Sequence, residues 1–431
     1  MEESVTSGSQ NFGRSVEAFR PPTTQLDDRI MILSHKIQLK PTVKQEEYFR
    51  RAAGVARFTW NWGLTEWNKA YAEGEKTSGY KLKKRLNSIK REEFPWMYEV
   101  HRGCSMVPFM NLQKAFQGYF RRLKNPRIKR ERRKDGELKG HPKFHKKGMK
   151  DSFYAGCGSE RGFHVKEERV CIPRLGWIKM TETLRFTGKI TTAVVFRTAD
   201  RWFISISVET ELPEYRRTPE QKKVIGVDLG VKHATVLSDG RKFDGPKPLK
   251  AALKRLKRKQ RQLSRKEKGS SNYRKAAAKV AKLHWRIANQ RKDFLHKLTT
   301  GLCREAETIV IEDLNVSGML KNHKLARALS DIGLYEFRRQ LEYKDQVFGT
   351  RLVIADRWFP STKRCSSCGA VKKLMRLSER TYVCEACGTV EDRDVNAGKN
   401  LEQLGWVPPE VTPGDMADVN AVVEAGIIRS T

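Results

Sequence analysis

Four cysteines in the C-terminal third of the chain constrain its fold more than any other feature. They lie in the segment "CSSCGAVKKLMRLSERTYVCEACG" with the spacing C-x₂-C-x₁₅-C-x₂-C, which is the spacing of two zinc-binding knuckles. Four thiolates complete a tetrahedral shell and leave no position for a substrate. The pattern therefore predicts one structural Zn²⁺ held by Cys365, Cys368, Cys384 and Cys387.

Two apolar segments that read as β-strands end in acidic residues. "VIGVDLGVKHATVLSDG" at 224–240 carries Asp228, and "TIVIEDLN" at 308–315 carries Glu312. Short apolar runs of this kind are typical of buried parallel strands. If the two strands are neighbours, both carboxylates project from the same end of one sheet.

A third acidic segment, "EDRDVNAGKNL" at 391–401, follows the cysteines and opens a helix. Its small residues Ala397 and Gly398 allow that helix to approach a sheet closely, so either Asp392 or Asp394 could complete the acidic group. Three crowded carboxylates repel one another and need cations, and oxygen ligands favour Mg²⁺. Two Mg²⁺ ions about 4 Å apart would activate a water and stabilise the leaving oxygen of a phosphodiester, which predicts a nuclease.

The charge of the chain predicts a polyanionic partner. Lys and Arg number 86 against 50 Asp and Glu, a formal charge of +36, and the basic residues occur along the whole length. No long apolar span or lipid-anchor signal accompanies this charge, so nucleic acid is favoured over a membrane. The eight cysteines, without a secretory signal peptide, predict a reducing intracellular setting.

The N-terminal half reads as strands around a helical block. "MILSHKIQLKP" from residue 31 alternates like a strand, whereas 44–74 and 111–123 have helical spacing. Residues 152–211 return to short strands and end in a hairpin with "TAD" at its turn. This order suggests a small β-barrel interrupted by helices. Leucines at helical spacing in 249–263 and the basic segment 273–303 predict an amphipathic helical hairpin.

Several motifs, taken together and in order, resemble the TnpB family of transposon-encoded RNA-guided DNA endonucleases and the compact type V CRISPR effectors related to it. The C-terminal motifs are "IGVDLG", "IVIEDLN", "RWFPSTKRCSSCG", "YVCEACG" and "DRDVNAGKNL", and the upstream ones are "FTWNWGLTEWN" and "GHPKFHKKGMKDSF". The resemblance covers residues 31–404. It departs from the family in the leader before Met31, which is longer than the family usually has.

The resemblance implies a multidomain α+β chain with a RuvC-like nuclease of ribonuclease H fold and a four-cysteine zinc-ribbon insertion, preceded by a β-barrel wedge domain that a helical recognition domain interrupts. It implies a metal-binding catalytic triad of Asp228, Glu312 and Asp394, since the family pattern has an Asp two residues before Asn. The expected limits are a disordered leader at 1–30, the wedge at 31–50 and 136–212, recognition at 51–135, a linker at 213–223, the nuclease at 224–360 and 391–405, a target-strand loading module at 361–390, and a loose tail at 406–431.

The resemblance implies a guide RNA and a double-stranded target DNA, recognised beside a short motif, as partners. It also implies a location in a prokaryotic cytoplasm or nucleoid, and a monomer is favoured over a homodimer. The basic segment 119–150 is either a solvated charge run or a nucleic-acid-binding loop, in which aromatic residues stack on bases and lysines contact phosphates. Helix residues near 60 and 111 are either core, guide or duplex contacts. The candidate contacts are Trp60, Asn61, Asn111, Gln113, Lys114, Arg121, Arg122, Lys143, Phe144, His145, Lys146 and Lys147.

Two other functions fit part of the pattern. A nuclease-inactive, RNA-guided DNA-binding repressor would be expected to lack the acidic triad, which is present here. A guide-independent resolvase or transposase could use the same fold, and it would not require a discrete structured RNA bound to the purified protein.

Overall fold

A computed structural model describes residues 30–125, 138, 140–148, 151–211, 218, 223–376 and 378–406 of the 431. The chain divides into two compact units, Met1–Phe196 with Phe203–Pro213, and Arg197–Trp202 with Glu214–Thr431. Residues 1–29 of the predicted leader, most of the predicted linker and nearly all of the predicted tail lie outside the described residues, and Ile30 is the first residue of a strand. The predicted domain limits therefore stay predictions.

The first unit combines a β-sheet with three helices. The strands are β1 Ile30–Lys40, β2 Ser152–Gly156, β3 His164–Lys166, β4 Arg169–Ile172, β5 Gly176–Met180, β6 Lys189–Thr198 and β7 Arg201–Glu211. The helices are α1 Val43–Ala72, α2 Gly79–Glu93 and α3 Gly103–Lys124, with a short 3₁₀ helix at Pro95–Glu99.

Local sequence accounts for the longest helix and for the hairpin of this unit. Thr42 and Gln45 form a reciprocal capping box at the start of α1, which satisfies backbone donors that the first turn leaves free. Tyr48, Ala52 and Val55 are buried on one face of α1, as the spacing predicts. The β6–β7 turn lies at the predicted "TAD", where Ala199 adopts a positive φ of 57°.

The seven strands form one antiparallel sheet in the order β2-β6-β7-β1-β5-β4-β3. The strand β1, which precedes the helices in sequence, lies at the centre of this sheet, so the helical block interrupts the strands as predicted. A closed barrel would also require the end strands β2 and β3 to pair, and the ladders of the described residues do not include that pair. The described strands thus form a seven-stranded antiparallel sheet, and its closure into the predicted barrel stays a prediction.

The second unit contains a five-stranded mixed sheet in the order β10-β9-β8-β11-β12. Its strands are β8 Val224–Asp228, β9 Thr235–Leu237, β10 Lys242–Phe243, β11 Thr308–Glu312 and β12 Arg351–Ala355. β8, β11 and β12 are parallel and in register. The carboxyl ends of these three strands therefore lie along one edge of the sheet.

Helices pack on both faces of this sheet. The helices of this unit are α4 Pro248–Ser264, α5 Ser271–Glu305, α6 Val316–Met319, α7 Ala326–Ile332, α8 Leu334–Phe348 and α9 Arg393–Gly405. Of these, α5 and α8 pack on one face of the sheet and α9 packs on the other. On one face, Val227 and Ile311 join a core with side chains of α5 and α8, such as Leu298 and Phe337. On the other face, Val310 and neighbouring strand residues pack against Leu401 and Leu404 of α9 and against β12. Each central strand is buried on both sides, which explains its continuous apolar run.

The predicted amphipathic hairpin is present as α4 and α5. Leu256 is buried against Val280, Leu283 and Ile287, with Leu249, Ala252 and Leu263 partly buried beside them. The four clustered cysteines lie between β12 and α9, together with a small hairpin of β13 Thr381–Val383 and β14 Val390–Asp392. Among the helices of the described residues, none combines the length and apolar character that spanning a membrane requires.

Candidate active site

Asp228 and Glu312 are the last residues of two neighbouring parallel strands. The register pairs Val227 with Ile311, so the two acidic residues stand side by side one position later. Adjacent strands lie about 4.8 Å apart, and side chains at paired positions point to the same face. Because Val227 and Ile311 face α5 and α8, Asp228 and Glu312 point to the opposite face, where α9 packs.

Asp394 reaches the same edge from the first turn of α9. Helical spacing places Asp394, Gly398, Leu401 and Gly405 on one stripe, and the last three of these contact the sheet. The approach is close because a Cβ built on Gly226 of β8 would lie 1.9 Å from the carbonyl oxygen of Gly398. Two glycines thus allow helix and strand backbones to meet, as the small residues of this helix predict.

Asp392 has a different role from Asp394. Its carboxylate caps α9 by accepting hydrogen bonds from the backbone N–H groups of Asp394 and Val395, and it forms an ion pair with Lys242 at 2.6 Å. An N-cap side chain is directed at the helix terminus, so Asp392 is engaged there. Asp394 instead accepts from the guanidinium of Arg393 at 2.9 and 3.0 Å.

The electrostatics of the three carboxylates are those of a site that favours a cation. Burial, together with the negative charges of Glu312 and Asp394, raises the pKa of Asp228 to about 8. Arg393 and the backbone N–H of Leu229 oppose this shift only in part. A divalent cation would replace the missing positive charge, and carboxylate oxygens are the donors that Mg²⁺ prefers. The donor set therefore fits Mg²⁺.

Glu312 and the next residue, Asp313, have different hydrogen-bond and ion-pair partners. Ser361 donates a hydrogen bond from Oγ to Glu312 Oε1. Asp313 turns away and bridges Arg338 and Arg357, and these two guanidinium groups lower its pKa. Of the two successive acidic residues that end the segment "TIVIED", Glu312 is thus the one directed at Asp228.

The four clustered cysteines converge as a second group of residues that could hold a metal ion. Their Sγ atoms all lie within 4.8 Å of one another, and no other set of possible ligands among the described residues, the acidic triad included, is as tight. Cys365 and Cys387 are 3.7 Å apart and Cys368 and Cys384 are 3.5 Å apart. A Zn–S bond of about 2.3 Å requires tetrahedral sulfurs about 3.8 Å apart, so the spacing fits zinc. The Thr389 hydroxyl and backbone N–H lower the pKa of Cys387 to about 6, which favours the thiolate.

The predicted nucleic-acid contacts fall into two groups. Trp60 stacks on His145 with ring centroids 4.4 Å apart and donates to the Lys143 carbonyl, while Asn61 exchanges two hydrogen bonds with the His145 backbone. Gln113 accepts from the backbone N–H of Gly79. Trp60, Asn61 and His145 thus join α1 to the 141–148 loop, and Gln113 joins α3 to the start of α2. The remaining candidates are Asn111, Lys114, Arg121, Arg122, Lys143, Phe144, Lys146 and Lys147, and they are exposed.

Sequence reasoning did not identify several residues that shape the acidic site. Ser361, Asn396 and Asn400 are buried polar residues around α9, and Gly226 permits its close approach. The one available signal was the pair of asparagines four residues apart in "VNAGKN", since buried amides at that spacing share a helix face.

Comparison with known proteins places the chain in a family. Three family profiles match, described as "Probable transposase" over residues 204–323, "Cas12f1-like, TNB domain" over 335–401 and "Helix-turn-helix domain" over 31–76. A Streptomyces pristinaespiralis protein named as a candidate RNA-guided DNA endonuclease is 36% identical over 377 residues, covering 86% of this chain and 88% of the relative. The chain belongs to the TnpB family.

Two further comparisons give a shorter sequence match and a similar fold. A TnpB-like protein of Acanthamoeba polyphaga mimivirus is 34% identical over 133 residues, 30% of this chain and 25% of that protein. The cryo-electron microscopy structure of a Cas12f1 complex with sgRNA and target DNA has the same fold, with a TM-score of 0.54, 14% identity, and coverage of 86% of this chain and 84% of that one. The first profile spans Asp228 and Glu312, and the second spans the four clustered cysteines and Asp394.

Proposed function

We propose that this TnpB-family chain is an RNA-guided DNA endonuclease in which Asp228, Glu312 and Asp394 bind two Mg²⁺ ions. The observation that carries the proposal is the convergence of two strand ends and one helix start, where the charges of Glu312 and Asp394 help to raise the pKa of Asp228. Relatives that match most of the chain are named as candidate RNA-guided DNA endonucleases, which supports the same function.

The roles of the residues follow from their positions. Bound Mg²⁺ would supply an activated water and charge stabilisation at the leaving oxygen of a DNA phosphodiester. Asp228 and Glu312, on rigid strand ends, hold the metal-binding oxygens at fixed positions, and Asp394 adds a third from α9. Arg393, which pairs with Asp394, neutralises that carboxylate until the site is loaded. The second unit would thus be a RuvC-like nuclease of ribonuclease H fold with a zinc-binding, target-strand loading module.

For the first unit we propose binding of guide RNA and recognition of a short motif beside the target. Support comes from the exposed basic residues at the end of α3 and in the 141–148 loop, with exposed Phe144 between lysines. Aromatic side chains beside lysines suit stacking on bases together with phosphate contacts. Sequence would be read mainly by guide pairing, and one copy of the chain would act as a monomer.

The test compares wild type with Asp228→Ala and Asp293→Ala, each purified with its RNA. Asp293 is an exposed aspartate on α5, paired with Lys297 one turn later, so it is a matched control for loss of one acidic side chain. Asp228→Ala should abolish Mg²⁺-dependent cleavage and retain guide-dependent DNA binding, whereas Asp293→Ala should cleave like wild type. Cleavage by Asp228→Ala at the wild-type rate would contradict the proposal.

A guide-independent transposase is the second candidate, favoured by the description of the profile that matches residues 204–323. The same samples separate the two functions. Cleavage or strand transfer that persists after ribonuclease treatment of the purified protein, without any added guide, would support the transposase. An RNA-guided repressor would bind its target and leave it intact, and the complete acidic triad argues against it.

A further inference from the structure

Residues 361–366 form a strap that runs from the acidic site to the first zinc-binding cysteine. At one end lies Ser361, which is only 3% exposed and donates a hydrogen bond from its hydroxyl to the Glu312 carboxylate. At the other end Ser366 immediately follows the fully buried Cys365. Four peptide bonds, from Ser361 to Cys365, therefore join the acidic site to the cysteine cluster.

Two fully buried asparagines on α9 hold the strap along its length. Asn400 donates to the carbonyls of Ser361 at 2.8 Å and Arg364 at 2.7 Å. Asn396 donates to the same Arg364 carbonyl at 2.7 Å and accepts from the Ser366 N–H at 2.9 Å. Buried amide hydrogen bonds of this kind are costly to break, so the strap follows α9 as one body.

The strap and the acidic site use different faces of the same helix. Gly398 and Leu401 face the sheet, whereas Asn396, Asn400 and Gln403 face the strap, since Gln403 also donates to the Ser366 carbonyl at 2.8 Å. The segment between the second and third clustered cysteines also contacts the start of α9 without involving the strap. There the backbone carbonyl of Glu379 accepts a hydrogen bond from the Arg393 guanidinium at 2.9 Å. Arg393 is the residue that pairs with Asp394.

We infer that Ser361 is a positioning residue for Glu312, and that the strap makes divalent-cation affinity at the acidic site depend on zinc at the cysteines. This inference rests on the proposed function. Ser361 fixes one oxygen of Glu312 and orients the other toward Asp228 and Asp394. Zinc would fix Cys365 and with it one end of the strap, and the other end of the strap carries Ser361. Outer-sphere partners of metal ligands typically contribute about 10- to 100-fold to metal affinity.

The experiment measures Mn²⁺ binding by electron paramagnetic resonance of the free ion, with the full chain and its zinc in place. Specific binding is the part that Asp228→Ala removes. Ser361→Ala should raise the Mn²⁺ Kd at least about tenfold and keep its zinc. Ser366→Ala is the matched control, because the Ser366 hydroxyl contacts Glu391 and not Glu312, and its Kd should stay within about twofold of wild type.

The zinc link is tested by a double-mutant cycle. Cys368→Ser removes an exposed cysteine, so it lowers zinc content with little disturbance of the core, and elemental analysis verifies the loss. Cys368→Ser should also raise the Mn²⁺ Kd about tenfold. The double variant Cys368→Ser/Ser361→Ala should have a Kd within about twofold of that of Cys368→Ser alone, because the two substitutions act through the same strap. Wild-type protein whose zinc has been titrated out with a mercurial provides a second measurement if this variant folds poorly.

The outcomes are separable. An unchanged Kd in Ser361→Ala overturns the positioning role. Fully additive effects of Ser361→Ala and Cys368→Ser retain that role and overturn the zinc link through the strap. If wild type and Asp228→Ala bind Mn²⁺ equally, the proposed acidic site itself fails, whatever the strap does.

Discussion

The contact between Gly226 and α9 yields a sharp prediction, because the acidic site exists only if this helix lies directly on the sheet. In Gly226→Ala, the added Cβ would lie 1.9 Å from the Gly398 carbonyl oxygen and 2.5 Å from the Glu402 nitrogen. Both are backbone atoms, so no side-chain rotation relieves the overlap. Ordinary van der Waals contact begins near 3.4 Å, so the helix must retreat by about 1.5 Å.

Such a retreat has a cost in stability and a larger cost in function. Overpacking of a well-packed core typically costs about 1–3 kcal/mol, and the reduced freedom of the unfolded chain returns at most about 1 kcal/mol. We expect the free energy of unfolding to fall by about 2 kcal/mol. Since Asp394 is four residues from Gly398 on the same stripe, it moves away from Asp228, and a misplacement of about 1 Å can reduce a rate about 100-fold.

The assays are urea denaturation for stability and single-turnover cleavage of guide-matched DNA at saturating Mg²⁺. Gly301→Ala is the control, because Gly301 is an exposed glycine inside α5 with no atom within 4 Å of its built Cβ. That substitution should stabilise the protein by about 0.5–1 kcal/mol and leave cleavage unchanged. A Gly226→Ala variant with wild-type stability and rate would refute the close packing of α9 on β8.

Two further predictions concern buried carboxylates of the second unit. The folded pKa of Asp228 is about 8, above its ordinary value of 3.8, so its ionisation destabilises the metal-free fold progressively as pH rises through this range. Asp228→Asn should therefore have a free energy of unfolding up to about 5 kcal/mol higher than wild type in urea denaturation at about pH 8.5 in Mg²⁺-free buffer. This stabilisation should shrink as the pH is lowered toward about 5. A stabilisation that grows on acidification would contradict the raised pKa. Asp331 is only 3% exposed, and its carboxylate accepts hydrogen bonds from the backbone N–H groups of Leu249 and Lys250 and from the Arg291 guanidinium. Asp331→Ala should therefore lower the free energy of unfolding, measured by urea denaturation, by about 3 kcal/mol. The exposed control Asp293→Ala should lower it by less than about 0.5 kcal/mol.

Short-range patterns were sufficient for the elements that carry the site. A buried parallel strand must be apolar throughout, so a carboxylate at its end is conspicuous at Asp228 and at Glu312. The cysteine spacing is equally local, since each knuckle is one tight turn. The third carboxylate was not fixed by such a pattern, because Asp392 and Asp394 both suit a helix start. The family resemblance selects Asp394, and in the structure the N-cap geometry of Asp392 and the stripe containing Gly398 distinguish the two residues.

The sequence was a poorer guide to side chains whose role depends on tertiary neighbours. Trp60 and His145 are 85 residues apart, and an aromatic ring stacks on another ring as well as on a base. Their mutual stacking could not be separated from nucleic-acid contact before the fold was known. The role of Ser361 could not be predicted from the sequence either, because its hydrogen bond to Glu312 joins residues that are 49 positions apart.

α9 is closely packed on two faces, and this limits how the acidic site can adjust to a substitution. The sheet face is closed by glycines, and the strap face is closed by buried amides whose partners are backbone carbonyls and one backbone N–H. A helix held this way cannot rotate or slide to accommodate a substitution, because relief on one face strains the other. The position of Asp394 therefore depends at once on the contacts of α9 with strand β8 and with residues 361–366. Perturbations at either place should reach the acidic site while leaving its three carboxylates chemically intact.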